Sequence, residues 1–308
     1  MENTRAKTTR NSLILLLTAT IWGMAFVSQS KGMDYMHPFT FNGVRSLIGA
    51  AGILIYILIS RKIAGDKAAK LDWKLNVRAG LLCGIFLTIA STLQQFGIKY
   101  TSVGKAGFIT TLYIIFVPMF GIFLKKKVAP VVWAAAGMAA VGMYLLCMTE
   151  SLRLGAGDIM VFLCAIAFAI QIMTVDHYAA RIDGAVVSCI QFTVCGVVCC
   201  IGALIWGQPT FGQIQEGLGA LLYAGVLSCG VGYTLQIVGQ KGLNPTVAAL
   251  IMSLESVIAT ISGWIAYKIG FLSTDQTLTP RQIAGCVIVF AAVILVQLPP
   301  EWFRFGKK

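Results

Sequence analysis

Apolar residues in this chain come in long runs, and the polar and charged positions are confined to short clusters with Gly and Pro between them. Cutting the sequence at those clusters predicts ten helices at about 12–31, 38–60, 79–98, 104–124, 130–148, 157–176, 184–206, 218–240, 245–267 and 282–298. A helix needs roughly 20 mostly apolar residues to cross a hydrocarbon core about 30 Å thick. The 308 residues therefore hold about ten crossings, with no long polar segment left for a separate soluble domain.

One stretch of this pattern is written twice. Residues 92–121, TLQQFGIKYTSVGKAGFITTLYIIFVPMFG, and residues 234–263, TLQIVGQKGLNPTVAALIMSLESVIATISG, match without a gap at nine of thirty positions, all at an offset of 142. Each copy ends one apolar helix, turns through a Gly- and Lys-containing segment and starts another. The chain thus reads as a duplicated unit, with one five-helix repeat over 11–148 and a second over 156–298. Five is odd, so the second repeat enters the membrane in the opposite sense. The fold class expected is an all-α membrane protein whose ten transmembrane helices form two inverted repeats, an arrangement that places a pathway between the halves near the bilayer midplane.

Composition agrees: 57% of residues are hydrophobic, 12% are charged, and the mean hydropathy is +0.82, whereas soluble domains average about 25% charged. The net charge of +12 would suggest nucleic acid if it formed one solvated face, but its residues sit in the connections between runs. Starting from a cytoplasmic N-terminus, seventeen Lys and Arg fall on the cytoplasmic side and six on the other, with Arg45 inside a run. That bias predicts both termini in the cytoplasm of a bacterial-type plasma membrane. The first run follows Arg5, Lys7 and Arg10 without an A-x-A-like site, so it reads as an uncleaved spanning helix. All nine cysteines fall within apolar runs without a Cys-x-x-Cys, as packing residues do. His37 and His177 stand at helix ends and form no paired-histidine motif, so neither metal nor cofactor is expected.

Residues 21 to 45, IWGMAFVSQSKGMDYMHPFTFNGVR, carry a Trp22-Gly23 pair, Pro38 before the second run and Arg45 beyond it. With Ile109 to Gly121 containing Val117-Pro118, the segment Ser253-Leu254-Glu255-Ser256-Val257, and the final run RQIAGCVIVFAAVILV, the chain resembles the EamA-type branch of the drug/metabolite transporter superfamily. The resemblance covers nearly the whole chain in order. It implies a ten-helix secondary carrier of small metabolites, commonly an exporter of amino acids or related solutes. Two departures stand out. Ser256 occupies a place where the family usually has Pro, which puts a bend of the ninth run in question. Lys125 and Lys268 stand where acidic residues usually close the fourth and ninth runs.

The candidate transport residues are the polar ones inside runs. Glu255 is the one acidic residue near the middle of a run. A charge at that depth costs about 2.5 kcal/mol or more on insertion scales, so it faces a bundle interior or a wet cavity. It reads either as a proton-exchanging group, with protons as the coupling ion, or as a structural Glu bonded to a neighbouring helix. Ser253, Ser256 and Thr260 extend a polar strip beside it. Gln94 and Gln236 are equivalent positions in the two repeats, and intramembrane amides need partners, either a substrate or each other's helices. Arg45, whose equivalent in the second repeat is Gln191, reads as snorkelling to headgroups or, from a cavity, as holding a carboxylate. Gln171 and, on the family resemblance alone, Trp22 and Tyr113 complete the set; aromatics in such runs are otherwise packing groups. Gly80/Gly84 and Gly137/Gly142 read as close-packing positions, and the fifth and tenth runs as packing helices away from the pathway.

The expectation is therefore a secondary active transporter, not an enzyme, working by alternating access. It would export a small polar metabolite through a cavity lined by runs one, three, four, six, eight and nine. The runner-up is a non-transporting or lipid-handling membrane scaffold. Substrate identity and oligomeric state are not legible.

Overall fold

The protein was analysed as a computed structural model that describes residues 2–65, 71–125, 128–147, 155–273 and 275–297, all of them helix, turn or irregular with no strand. Among the basic residues that carried the orientation reading, Lys67, Lys70, Lys126, Lys127, Arg153, Arg304, Lys307 and Lys308 lie outside the described residues. So do the last residues, 148 and 298, of the two expected repeats.

The helices in order are α1 (Glu2–Gly32), α2 (Pro38–Ala64), α3 (Trp73–Ile98), α4 (Val103–Thr111), α5 (Tyr113–Phe123), α6 (Pro130–Cys147), α7 (Ala156–Tyr178) and α8 (Gly184–Gly202), followed by α9 (Phe211–Glu216), α10 (Leu218–Leu222), α11 (Tyr233–Gln240), α12 (Pro245–Met252), α13 (Leu254–Lys268) and α14 (Pro280–Gln297). Two segments wind as π-helix: Ala203–Gly207 continues α8, and Tyr223–Gly232 joins α10 to α11. Eight continuous stretches are long and apolar enough to cross a membrane: Lys7–Gly32, Pro38–Ala64, Trp73–Ile98, Val103–Phe123, Ala156–Tyr178, Gly184–Gly207, Leu218–Gln240 and Pro245–Lys268. Two shorter apolar helices, Pro130–Leu145 and Pro280–Leu295, complete the bundle. This is an all-helical integral membrane protein.

The starts of these helices follow from local chemistry. Asp72, Ser102 and Asp183 each accept a backbone N–H of the first turn with a side-chain oxygen. His37-Pro38 and Asn244-Pro245 pair a side-chain acceptor with a Pro at the first helical position, where no N–H is needed. Outward faces such as Leu54, Ile55, Leu58 and Ile59 are exposed and apolar, while Gln94, Gln95, Gln171, Gln236 and Glu255 are buried. In lipid the polar groups must find their partners inside.

In the packing, α2 lies along α8, α6 along α14, α3 against both α7 and α8, and α1 against α13 and the α10–α11 stretch. Gly80 and Gly84 sit against Ile190 and Val194 of α8, and Gly142 against the Gly285 carbonyl of α14, as close-packing glycines do. Gly137, expected to act likewise, faces open space.

Two spans are broken near their middles. The fourth run turns at Leu112 (φ −58°, ψ −10°), between α4 and α5, with Pro118 further along α5. The ninth turns at Ser253 (φ −61°, ψ −15°), between α12 and α13. The ninth run thus breaks without a proline. Instead, the Ser253 hydroxyl donates to the Leu250 carbonyl (2.7 Å) and the Ser256 hydroxyl to the Ser253 carbonyl (2.8 Å), bonds that bend a helix by competing for its ladder.

Candidate functional site

Between α1, α2, α3, α4, α5, α7, α8, the π segment, α11 and α13 lies a cavity of about 570 Å³ lined by both apolar and polar side chains. In this conformation it has room for a water molecule or two. Among the described residues, none of α6 or α14 lines it. Runs two and seven, absent from the expected list of lining runs, also contribute, through the candidate Arg45 and through Ser46 and Phe192.

The helix breaks organise the centre. Tyr113 opens α5, and Glu255 stands in the first turn of α13, so the start of each half-helix is presented to the cavity. A helix N-terminus carries partial positive charge that favours a carboxylate beside it. Glu255 is 4% exposed, and the Tyr113 hydroxyl donates to its Oε1 at 3.0 Å. The close approach of α1 sets this geometry, because a Cβ on Gly23 would stand 2.8 Å from the Glu255 carbonyl oxygen. The Trp22 ring packs against Tyr233 (4.5 Å between centroids), which meets Phe192 edge-on at 5.0 Å. The indole Nε1 of Trp22 is buried without a partner.

The amides divide between the two ends of the cavity. Toward the end where α7 finishes, Gln171 and Gln236 bond each other reciprocally, at 3.4 and 3.1 Å. Toward the end where α1 finishes, Gln94 donates to the Thr110 hydroxyl at 3.2 Å, and the Oε1 of Gln29 has no partner. The bundle at this second end is tied by the Lys105 ammonium on Asp158 at 2.6 Å, supported by the Thr101 hydroxyl (2.9 Å) and the Gly155 N–H (2.9 Å). Beyond it His37, Phe39, Phe96 and Trp206 form an aromatic cluster. Burial and the nearby Lys99 hold the His37 imidazole below its ordinary pKa.

Of the eight candidates, the structure brings seven together: Trp22, Arg45, Gln94, Tyr113, Gln171, Gln236 and Glu255 all line the cavity. Ser256 does not. It is fully buried, its hydroxyl is used on the Ser253 carbonyl, and its backbone lies beside Gly107 of α4. Arg45 does not snorkel to a surface; it is 5% exposed, in the cavity wall, with its guanidinium over the Phe41 ring at 5.3 Å. Sequence reasoning missed Gln29. The signal was present, because Ala25, Phe26 and Gln29 recur as Ala167, Phe168 and Gln171 at the same offset of 142, and all but Ala167 line the cavity. Among the described residues, no cluster of three metal-ligating side chains occurs.

The profile of the EamA-like transporter family matches residues 10–148 and, a second time, 155–298. An Archaeoglobus fulgidus protein named an uncharacterized transporter is 27% identical over 290 residues, spanning 92% of this chain and 84% of that protein. The Bacillus subtilis uncharacterized transporter YwfM is 24% identical over 295 residues, covering 94% of both. A solved crystal structure superposes with a TM-score of 0.71 at 16% identity, covering 93% of this chain and 96% of the other, which shows a shared fold.

Proposed function

The chain belongs to the EamA-like transporter family, and from that membership we propose a secondary carrier that moves a small polar solute by alternating access, with residues 11–148 and 156–298 as two five-helix bodies inverted relative to each other. Export across a bacterial-type plasma membrane, with both termini in the cytoplasm and protons as the coupling ion, completes the reading.

The observation that carries it is the Tyr113–Glu255 hydrogen bond. These residues are 142 positions apart, so each is the other's equivalent in the repeat. Two equivalent positions of a two-fold arrangement touch only near the axis that relates the halves, which is where a rocking carrier keeps its binding site. The packing supports the same symmetry. α2 with α8 and α6 with α14 are pairings of equivalent helices, and the pairing of α3 with α7 is answered by that of α1 with the α10–α11 stretch.

Counterflow in proteoliposomes tests this. The wild-type protein exchanges a labelled solute, and an imposed pH gradient accelerates net movement. Glu255→Gln, which mimics the protonated carboxyl and cannot release a proton, retains exchange at equal pH but loses the response to the gradient. An unaltered response removes Glu255 from coupling, and failure of every small polar solute to exchange removes the carrier.

A further inference from the structure

Arg45 is the unresolved charge of the cavity. Arginine does not give up its proton in proteins, so its guanidinium is a permanent cation in a wall where it is 5% exposed. The ion pairs Lys31–Asp34 and Lys105–Asp158 do not involve Arg45. Its Nε makes no hydrogen bond. The Phe41 ring at 5.3 Å offers a cation–π contact, which is weak against the cost of leaving such a charge uncompensated away from water. A second buried donor on the same cavity, Trp22 Nε1, is also unpartnered.

We propose that Arg45 anchors a carboxylate of the carried solute, making the ligand a small monocarboxylate with a largely apolar body. The guanidinium edge formed by Nε and a terminal nitrogen matches the two oxygens of a carboxylate, and the geometry of such pairs is bidentate. One cation shares the cavity with the Glu255 carboxyl, which suits a single negative charge and disfavours a phosphate dianion. The remaining wall, with Phe26, Phe168, Phe192 and Tyr233, suits an apolar or flat body. The proposal rests on the cavity being the solute site, although binding does not require that the solute then move.

The test uses the full chain in lipid nanodiscs, titrated with hexanoate, benzoate and 3-phenylpropionate and with the three corresponding amides, binding being read from the thermal midpoint and from tryptophan fluorescence. At least one acid raises the midpoint where its amide does not. Arg45→Gln weakens that acid by about ten-fold or more, and Arg45→Lys, which keeps the charge and loses the fork, falls between. Arg281→Gln, which removes a cation stacked over Tyr144 away from the cavity, leaves binding unchanged. Equal binding of acids and amides, no binding of any acid, or full acid affinity in Arg45→Gln overturns the proposal. Should Arg45→Gln fail to fold, the acid–amide contrast in the wild type and the Arg45→Lys affinity decide it. Counterflow separates the two readings: Arg45-dependent binding without exchange sinks the carrier and keeps the anion site, whereas exchange of solutes without any preference for carboxylates does the reverse.

Discussion

The two halves of the chain hold the same amide at the same place and use it differently. In the second half Gln171 faces Gln236 and the two satisfy each other. In the first half the equivalents, Gln29 and Gln94, are not paired: Gln94 turns to Thr110, and the Gln29 oxygen is left without a donor. The same asymmetry recurs in charge, where Arg45 answers to Gln191, and in backbone, where α3 is regular but its counterpart opens into the ten-residue π segment Tyr223–Gly232. Duplication sets where polar groups stand, and later divergence decides which stay unpaired. Among the side chains that line the cavity, those with a buried atom left unpartnered, Trp22, Gln29 and Arg45, belong to the first half, whereas Ser188, Gln191 and Gln240 of the second half are unpartnered away from it.

The largest expected effect lies at the end of the bundle where this asymmetry is ionic. Lys105 and Asp158 correspond, at the offset of 142, to Val247 and Leu16, so the pair has no equivalent at the other end. Breaking a buried pair by removing one partner costs about 3–5 kcal/mol. Here the Lys105 side chain is 22% exposed, and Asp158 keeps the Thr101 hydroxyl and the Gly155 N–H. Lys105→Met is therefore expected to destabilise by about 2–3 kcal/mol, read as a lowered thermal midpoint in detergent. A loss smaller than that of Lys31→Met, whose partner Asp34 is 49% exposed and whose pair, like other surface pairs, contributes about 0–1 kcal/mol, would remove the pair from the structural account.

The amides themselves come next. Gln171→Leu leaves the Gln236 amide buried and alone, with an expected cost of about 1–2 kcal/mol. Gln171→Leu with Gln236→Leu removes both partners and recovers most of that loss, because no polar group is then stranded. Gln94→Leu costs about 1 kcal/mol or less, since Thr110 has a rotatable hydroxyl that can turn to its own backbone. Unfolding midpoints of Gln171→Leu, Gln236→Leu and the double variant form a coupling cycle with the wild type. If the double variant is as unstable as the sum of its singles, the reciprocal pair is not the unit it is taken to be.

Much of this was legible in the residues, for physical reasons. Lipid forces polar groups inward and caps onto helix ends, so the runs, the breaks in hydropathy and the central Glu255 could be placed from sequence. The offset of 142 could have carried further: it also relates Tyr113 to Glu255, and it would have found Gln29 had it been followed back into the first run. Ser256 was misplaced because its spacing to Ser253 and Thr260 reads as one polar face. In the fold all three hydroxyls, Thr260 donating to the Ser256 carbonyl at 2.9 Å, are used on the helix's own backbone. The π segment left no mark in the hydrophobic pattern of 218–240, because a change of ladder from four to five residues does not alter which residues are apolar.

The smallest effect separates the halves at a single equivalent position. α2 and α8 begin 146 residues apart, and their N-caps are His37 and Asp183. Asp183 accepts from Ala185 and Val186 at 2.9 and 3.1 Å, whereas the His37 Nδ1 accepts from Phe39 at 3.4 Å. Asp183→Ala is expected to cost about 1 kcal/mol, and His37→Ala less. The two caps differ in their response to acid, because His37 can accept only while neutral. Its folded pKa lies below the unfolded value of about 6.5, so the unfolded chain binds the proton more readily. The stability contributed by the neutral cap is present above that value and is lost as pH falls through the window beneath it. Midpoints measured from pH 8 down to about pH 5 should therefore show the wild type losing its advantage over His37→Ala as protonation proceeds. A gap that holds constant across that range would mean that the imidazole in the first half is a packing group held by Phe39 and Phe96, and that only the second half caps its helix.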